Sequence, residues 1–471
     1  MRTRTTFAAA FVIATLGLAV AACGGGSGAG SSDLGGAASI APSNAVGFVA
    51  LDSNVSSSQW QTVDGLLKKF PSQGDLMTKL QQSFEQHTKL NWTTDVQPAL
   101  GSELDLIALP AKKPLLVGLT QPGDQAKLDA LLKQLGSNVV SAQVGGWTAF
   151  SDNQAALDAV QNATAKLADN NTYRAAIAKL SSDALVRAYA NGTEAQQLLD
   201  ALGPQAQTSG TNTVPFAWAS VDVVASGDGV RLNGYAHDAS LPNRPLLHQP
   251  VPAQPYASSL VDEIPSGAIL VADFPVAPGQ FEFSPGSTSR LEKLFGTNAA
   301  TLASELDAVL GGETALYVRP GVPIPEITLV TQPNDTVSAT SALADVLTAL
   351  KALPGATAGG LRLGNIPIVH AVAGGQLVVS TSKQGIADFQ SGGAKLSSDP
   401  SFKAAQQTSN MPAQTTGFLY VNVASALPLL RTIGPLLGLT VPADAGALKT
   451  LTAFGTRTGD ESVFTAFLQV G

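Results

Sequence analysis

The residue with the most specific chemistry is Cys23, the chain's single cysteine. It closes Val20-Ala21-Ala22-Cys23, which resembles the bacterial lipobox, where the residue after the cut is a cysteine that receives lipid. Arg2 and Arg4 supply a positive n-region, and Phe7 to Ala22 is an apolar run ending in small residues, the pattern of an export signal. A permanent transmembrane anchor needs about twenty apolar residues with suitable flanks. This run is shorter and stops at the cysteine. The expected product is a lipoprotein with acyl chains such as palmitate on Cys23. Each buried methylene stabilises membrane attachment by about 0.8 kcal/mol, so several chains on one residue hold firmly.

Other chemistry-bearing residues form weaker patterns. Glu103 and Asp105 alternate on one expected strand and share a face, where a carboxylate pair could bind a cation or do acid/base work. Glu313 stands near the equivalent position in the second half, but Asp105 has no acidic counterpart there. A solvated strand face is the simpler expectation. Asp52 and Asp273 both end first strands, in registers that differ by two residues, and receive no role. His87, His237, His248 and His370 show no metal-ligand spacing, and there is no His-Glu-x-x-His run. His370 reads as a structural strand residue. Neither a nucleophile elbow nor a phosphate-cradling glycine loop is present. No catalytic, metal or cofactor residue is therefore assigned, no cofactor is expected, and the chain reads as a non-enzyme.

Two aromatic-basic pairs, Tyr173-Arg174 and Phe402-Lys403, invite a binding reading. The simpler account docks the aromatic and the following alanines against a sheet, with the basic residue pointing outward. Tyr189 and Tyr420 likewise read as strand residues in a core. The sequons at Asn162 and Asn191 are chance matches. Export removes Arg2 and Arg4, which deepens a formal net charge of −8. An acidic chain with no basic stripe excludes nucleic acid as the expected partner.

The elements that must carry these residues occur twice. Ala165-Lys166-Leu167, then Tyr173-Arg174-Ala175-Ala176, recurs as Ala394-Lys395-Leu396, then Phe402-Lys403-Ala404-Ala405. Thr120-Gln121-Pro122 matches Thr331-Gln332-Pro333. Leu128, Leu131, Leu132 and Leu135 repeat their helical spacing in Leu343, Val346, Leu347 and Leu350. Tyr189-Ala190-Asn191 matches Tyr420-Val421-Asn422, and Pro42-Ser43-x-Ala45 matches Pro265-Ser266-x-Ala268. Landmarks in constant order with slowly drifting offsets imply a tandem duplication of domain-sized units.

In order, residues 1–22 are the signal, 23–39 the lipidated cysteine and a Gly/Ser-rich tether, 40–240 the first repeat domain, 241–255 a proline-rich linker and 256–471 the second. The linker is either a stiff polyproline spacer or an ordered connector. Expected helices include Gln59–Phe70 and Gly74–Leu90, and hairpins turn at Gly145-Gly146 and Gly227-Asp228. Strands come in adjacent pairs, which predicts an α+β fold: two tandem homologous domains, each a mainly antiparallel sheet packed with helices. At 44% hydrophobic and 13% charged, the chain can build such cores without disulfides.

The first strand followed by Gln59-Trp60-x-x-Val63-Asp64-x-Leu66-Leu67-x-x-Phe70-Pro71, with Lys166-Leu167 and the Tyr173 helix, resembles the bacterial family called domain of unknown function 3352. The resemblance implies an envelope lipoprotein and carries no established activity. The expected location is the extracytoplasmic face of the cell membrane, attached through Cys23. Three functions follow: a module binding an envelope protein or ligand, including a lipid or glycolipid carrier with an apolar cavity; a transporter's solute-binding lipoprotein, which needs parallel sheets and a hinged cleft; and an enzyme.

Overall fold

The computed structural model describes residues 35–70, 85–86, 90–111, 114–135, 138–202, 214, 216–239, 253–277, 299–321, 325–351, 357–358, 361–362, 367–434 and 443–471. The expected export signal, Cys23, His87 and His248 lie outside them, as does most of the expected Gly74–Leu90 helix and of the expected 241–255 linker. Two compact units divide the chain, with the boundary between Leu241 and Pro242.

The first unit contains β1 (Gly47–Asp52), β2 (Glu103–Leu109), β3 (Leu115–Thr120), β4 (Val140–Val144), β5 (Trp147–Ser151), β6 (Val186–Asn191), β7 (Phe216–Ser226) and β8 (Gly229–Asp238). They pair in the order β4-β5-β3-β2-β1-β6-β7-β8. Every one of these ladders is antiparallel. Its longer described helices are α1 (Ser58–Leu67), α2 (Gln125–Leu135), α3 (Gln154–Gln161), α4 (Asn171–Ile177) and α5 (Gly192–Leu202).

Period-two alternation sends Phe48, Ala50 and Asp52 of β1 to one buried face. On that side α3 and α4 build a core with Trp147, Leu157, Leu167, Tyr173 and Tyr189. Tyr173 meets Phe48 and Tyr189 edge to face, at 5.7 and 5.1 Å. A second cluster joins Leu128, Leu131 and Leu132 of α2 to Leu104 and Phe150. The expected apolar stripe of α2 thus meets the sheet. Helix α1 starts where the Ser57 hydroxyl accepts from the Trp60 amide. It ends at Leu67, short of the expected Phe70. Gly145 and Gly146, at φ 56° and 84°, turn the β4–β5 hairpin in a backbone region that other residues rarely adopt.

The second unit contains β9 (Leu270–Val276), β10 (Gly312–Arg319), β11 (Glu326–Thr331), β12 (Thr357–Ala358), β13 (Leu361–Arg362), β14 (Val369–Ala373), β15 (Gln376–Ser380), β16 (Phe418–Asn422), β17 (Leu448–Thr458) and β18 (Glu461–Val470). The two-residue β12 and β13 pair with each other. The remaining strands run β14-β15-β11-β10-β9-β16-β17-β18, again antiparallel. Element for element, this is the strand order of the first unit. The helices are α6 (Ala299–Leu310), α7 (Thr336–Lys351), α8 (Lys383–Gln390), α9 (Pro400–Ser409) and α10 (Val423–Ile433). Tyr317, Phe389, Leu396, Phe402 and Tyr420 form its main core. The fold is therefore α+β, with antiparallel sheet and packed helices.

The repeated sequence stretch has the same job in both units. The Leu167 amide donates to Ala41 O and the Ser43 amide to Ala165 O. The Leu396 amide donates to Ile264 O and the Ser266 amide to Ala394 O. Leu167 and Leu396 are wholly buried. Asn170 then caps α4 through the amides of Thr172 and Tyr173, and Asp399 caps α9 through those of Ser401 and Phe402. Each landmark is thus a short clasp followed by a capped helix.

Candidate functional site

Glu103 and Asp105 do not form a solvated strand face, which corrects the sequence expectation. Asp105 is fully buried. The sheet face they share is covered by the chain that leads into the unit. The Gly35 and Gly36 amides donate to Glu103 Oε1 at 2.5 and 3.1 Å, and the Ala37 amide donates to Asp105 Oδ2 at 3.2 Å. These amides open the 3-10 turn Gly36–Ser39, whose unpaired N–H groups favour a carboxylate. Ala37, Ala38 and Ala41 are buried against the core. The last residues of the expected tether therefore belong to the folded unit as a strap across β2.

Burial, and next the Glu103 carboxyl beside it, push the Asp105 carboxyl well above the usual carboxylate range. No donor reaches its buried Oδ1 among the described residues. The same environment raises the Tyr173 hydroxyl, first through burial and then through Asp105.

The second unit holds its own lead-in segment in the same place. The Ser259 amide and hydroxyl donate to Glu313 Oε2 at 3.2 and 2.7 Å, and the Leu260 amide donates to Oε1 at 3.1 Å. They open the 3-10 turn Leu260–Asp262. Glu313 on β10 is the counterpart of Glu103 on β2. The companion acid, however, comes from another strand. In the first unit Asp105 stands opposite Ala50 of β1. In the second, Asp273 of β9 stands opposite Ala315 of β10. One Asp/Ala pair is inverted between equivalent strands. Asp273 accepts from the Tyr256 hydroxyl and, at 3.0 Å, from the Ser258 hydroxyl. Burial raises its carboxyl to about 7, against the hydrogen bond from Tyr256 and with the help of Glu313.

Asp52, given no role from sequence, braces the approach to α1. It accepts from the Ser57 hydroxyl at 2.5 Å and the Asn54 amide at 2.9 Å. Burial raises it to about 6. A second buried polar group gathers at α8. Arg319 pairs with Asp388 and, at 3.5 Å, with Glu326. Glu326 accepts from the Ser382 hydroxyl at 3.3 Å, and Thr328 bonds Ser380 at 2.9 Å. Gly385 lets α8 approach; a Cβ there would meet Ser380 Oγ at 2.2 Å.

The aromatic-basic pairs behave as docking residues: Tyr173 and Phe402 are buried while Arg174 and Lys403 are exposed. His237 stacks on Trp218 with ring centres 5.8 Å apart. His370 lies on strand β14, as expected, with its side chain exposed. Asn162 ends α3, and the Asn191 side chain accepts from the Glu194 amide. Among the described residues, no three His, Cys, Asp or Glu side chains group as metal ligands.

The sheet faces turned away from the aromatic cores carry Leu116 in the first unit and Phe274, Ile327 and Phe464 in the second. Each is more than a third exposed. Sequence reasoning missed both this exposure and the strap. Alternation marks which residues share a face but not what covers them.

No family model matches the chain, and no curated protein matches it. Among solved structures, crystal form III of TP0453 is 6% identical over 44% of this chain and 81% of that one, with a TM-score of 0.24. Crystal form IV of TP0453 is 8% identical over 42% and 79%, with a TM-score of 0.23. At such scores the likeness carries no argument about fold or function.

Proposed function

We propose that the protein is a non-enzymatic lipoprotein, held at the extracytoplasmic face of a cell membrane by lipid on Cys23, whose two units bind an envelope protein or ligand. Val20-Ala21-Ala22-Cys23, at the end of an apolar run after Arg2 and Arg4, carries this reading. The strap adds support: Gly35 and Gly36, the first described residues, stand about a dozen residues after Cys23 and are tied to Glu103. The equal strand order of the two units supports an origin by tandem duplication. The resemblance to the domain of unknown function 3352 family is part of the same proposal.

A lipid or glycolipid as the ligand is the second reading, favoured by exposed Leu116, Phe274, Ile327 and Phe464. The antiparallel ladders weigh against a transporter's solute-binding protein, which calls for parallel sheets. Native mass spectrometry with lipid extraction, on protein purified without detergent from a bacterial host, separates the readings. A stoichiometric lipid selects the carrier. A clean protein mass selects protein binding, to be followed by crosslinking in intact cells. A bound polar solute would overturn both.

A further inference from the structure

The strap in each unit is held by two carboxyls, and one has moved between strands without leaving its place. Asp105 faces Ala50 across β2 and β1, whereas Ala315 faces Asp273 across β10 and β9. Each arrangement puts one aspartate beside one glutamate, under backbone amides of the lead-in 3-10 turn or side chains just before it. Asp105 and Asp273 are buried and Glu103 and Glu313 half-buried, so two ionised carboxylates here repel with little solvent to spread the charge of the aspartate. A hydrogen bond between the two carboxyls removes the conflict if they hold a single proton. It also gives the buried Oδ1 of Asp105, which no donor reaches among the described residues, an O–H to offer.

We propose that each unit closes its strap with a carboxyl latch, an Asp–Glu pair sharing one proton, and that loss of that proton loosens the strap. The latch needs one aspartate in the cross-strand pair, on either strand. On the reading that Cys23 carries lipid, the first latch holds the chain about a dozen residues from the anchor, and opening it lengthens the anchor's reach by the freed residues.

The groups facing the first latch are few. Tyr173 comes from α4, with Tyr189 of β6 behind it. Arg187 of β6 lies across Ala50, and Asp52 of β1 lies opposite Glu103. Arg187 is already engaged by Ser181 O at 2.7 Å. The second latch faces Tyr256 and Ser258 from the strap itself, with Phe418 of β16 across Asp273. Glu313 is the carboxylate whose charge bears on Asp273 among the described residues.

Hydrogen exchange of the full-length protein, read by mass spectrometry over residues 35–41 and 256–264, tests the latch. Asp105→Ala is expected to speed exchange of the first strap about tenfold or more, because the Ala37 amide loses its acceptor. The double variant Ala50→Asp/Asp105→Ala is expected to restore most of the protection. In the wild type, exchange corrected for its intrinsic pH dependence should rise with pH in both straps, around pH 7 in the second, and Asp105→Asn should abolish that rise in the first. Asp273→Ala, against Asp273→Ala/Ala315→Asp, repeats the comparison in the second unit. If single variants fail to fold and the doubles fold, the latch stands. Failure of the doubles to restore folding or protection overturns it, as does strap exchange with no excess pH dependence.

Discussion

The two units place one carboxyl in one position by different routes. In the first unit it hangs from β2, in the second from β9, and each faces alanine. Their clasps, by contrast, match residue for residue, from Pro42 beside Lys166 to Pro265 beside Lys395. The difference teaches what each site demands. The clasp uses main-chain hydrogen bonds set by a local backbone path, so its residues keep their order. The latch demands only a carboxyl at a point in space, and two facing strands reach that point equally well.

The clasp-and-helix half of the comparison can be broken most forcefully at Phe402. It is buried and packs against Tyr420 and Phe418 at 5.1 and 5.7 Å. Phe402→Ala should destabilise the second unit by about 3–5 kcal/mol. Tyr173→Ala should act similarly on the first. Chemical denaturation followed by exchange in each unit reads both, and an effect below about 1 kcal/mol would mean these helices do not hold the cores.

Next comes the pH dependence of the second latch. Asp273 has a folded pKa of about 7, above its ordinary 3.8. Between those values the unfolded chain has released the proton while the folded unit keeps it. Stability from this group is therefore greatest below pH 3.8, falls as pH rises towards 7, and is level above. The full span is on the order of 4 kcal/mol. Asp52, raised to about 6, adds a fall of the same sign that ends earlier. In thermal melts, Asp273→Asn should gain on the wild type as pH rises from 4 to 7. A difference that stays constant across that range would remove the neutral acid from the account.

The caps give a smaller effect. Asn170→Ala and Asp399→Ala should each destabilise by about 1 kcal/mol, since each leaves two helix amides without their acceptor. Asp399 should show the larger loss at neutral pH. Burial raises its carboxyl, but hydrogen bonds from Ser266, Gly267, Phe402 and Ser401 outweigh that and hold it below the ordinary value. This contribution is present above pH 3.8 and lost as pH falls through the lowered folded value, opposite in sign to Asp273. Equal losses for the two caps at all pH values would contradict it.

Smallest of all, Arg174→Ala and Lys403→Ala should change stability by no more than about 0.5 kcal/mol, because both side chains are exposed. Unchanged ligand or partner capture by both variants would keep them as outward residues. Lost capture would reinstate a binding motif.

Much of this architecture was legible in the sequence for a physical reason. Lys166-Leu167 and Tyr173, or Lys395-Leu396 and Phe402, are tied to a backbone path and a buried volume, so their types and spacing survive together. Paired strands around Gly145-Gly146 announced antiparallel sheet through the turn that only such residues allow. The latch was not legible. Looking for an acid aligned with Asp105 finds Ala315, because the companion of Glu313 arrives from forty residues earlier, at Asp273. Nor could alternation distinguish a solvated acid pair from one roofed by Gly35–Ala37, a cover supplied by chain far away in sequence.

The central claim is attachment through Cys23, and the most direct measurement is the mass of the mature protein's first peptide from isolated membranes. The account predicts a chain beginning at Cys23 with acyl chains on that residue, and a Cys23→Ala variant that leaves the membrane fraction or keeps its first 22 residues. A wild-type peptide with a bare thiol at Cys23, or a Cys23→Ala protein cleaved normally and still membrane-bound, would contradict it.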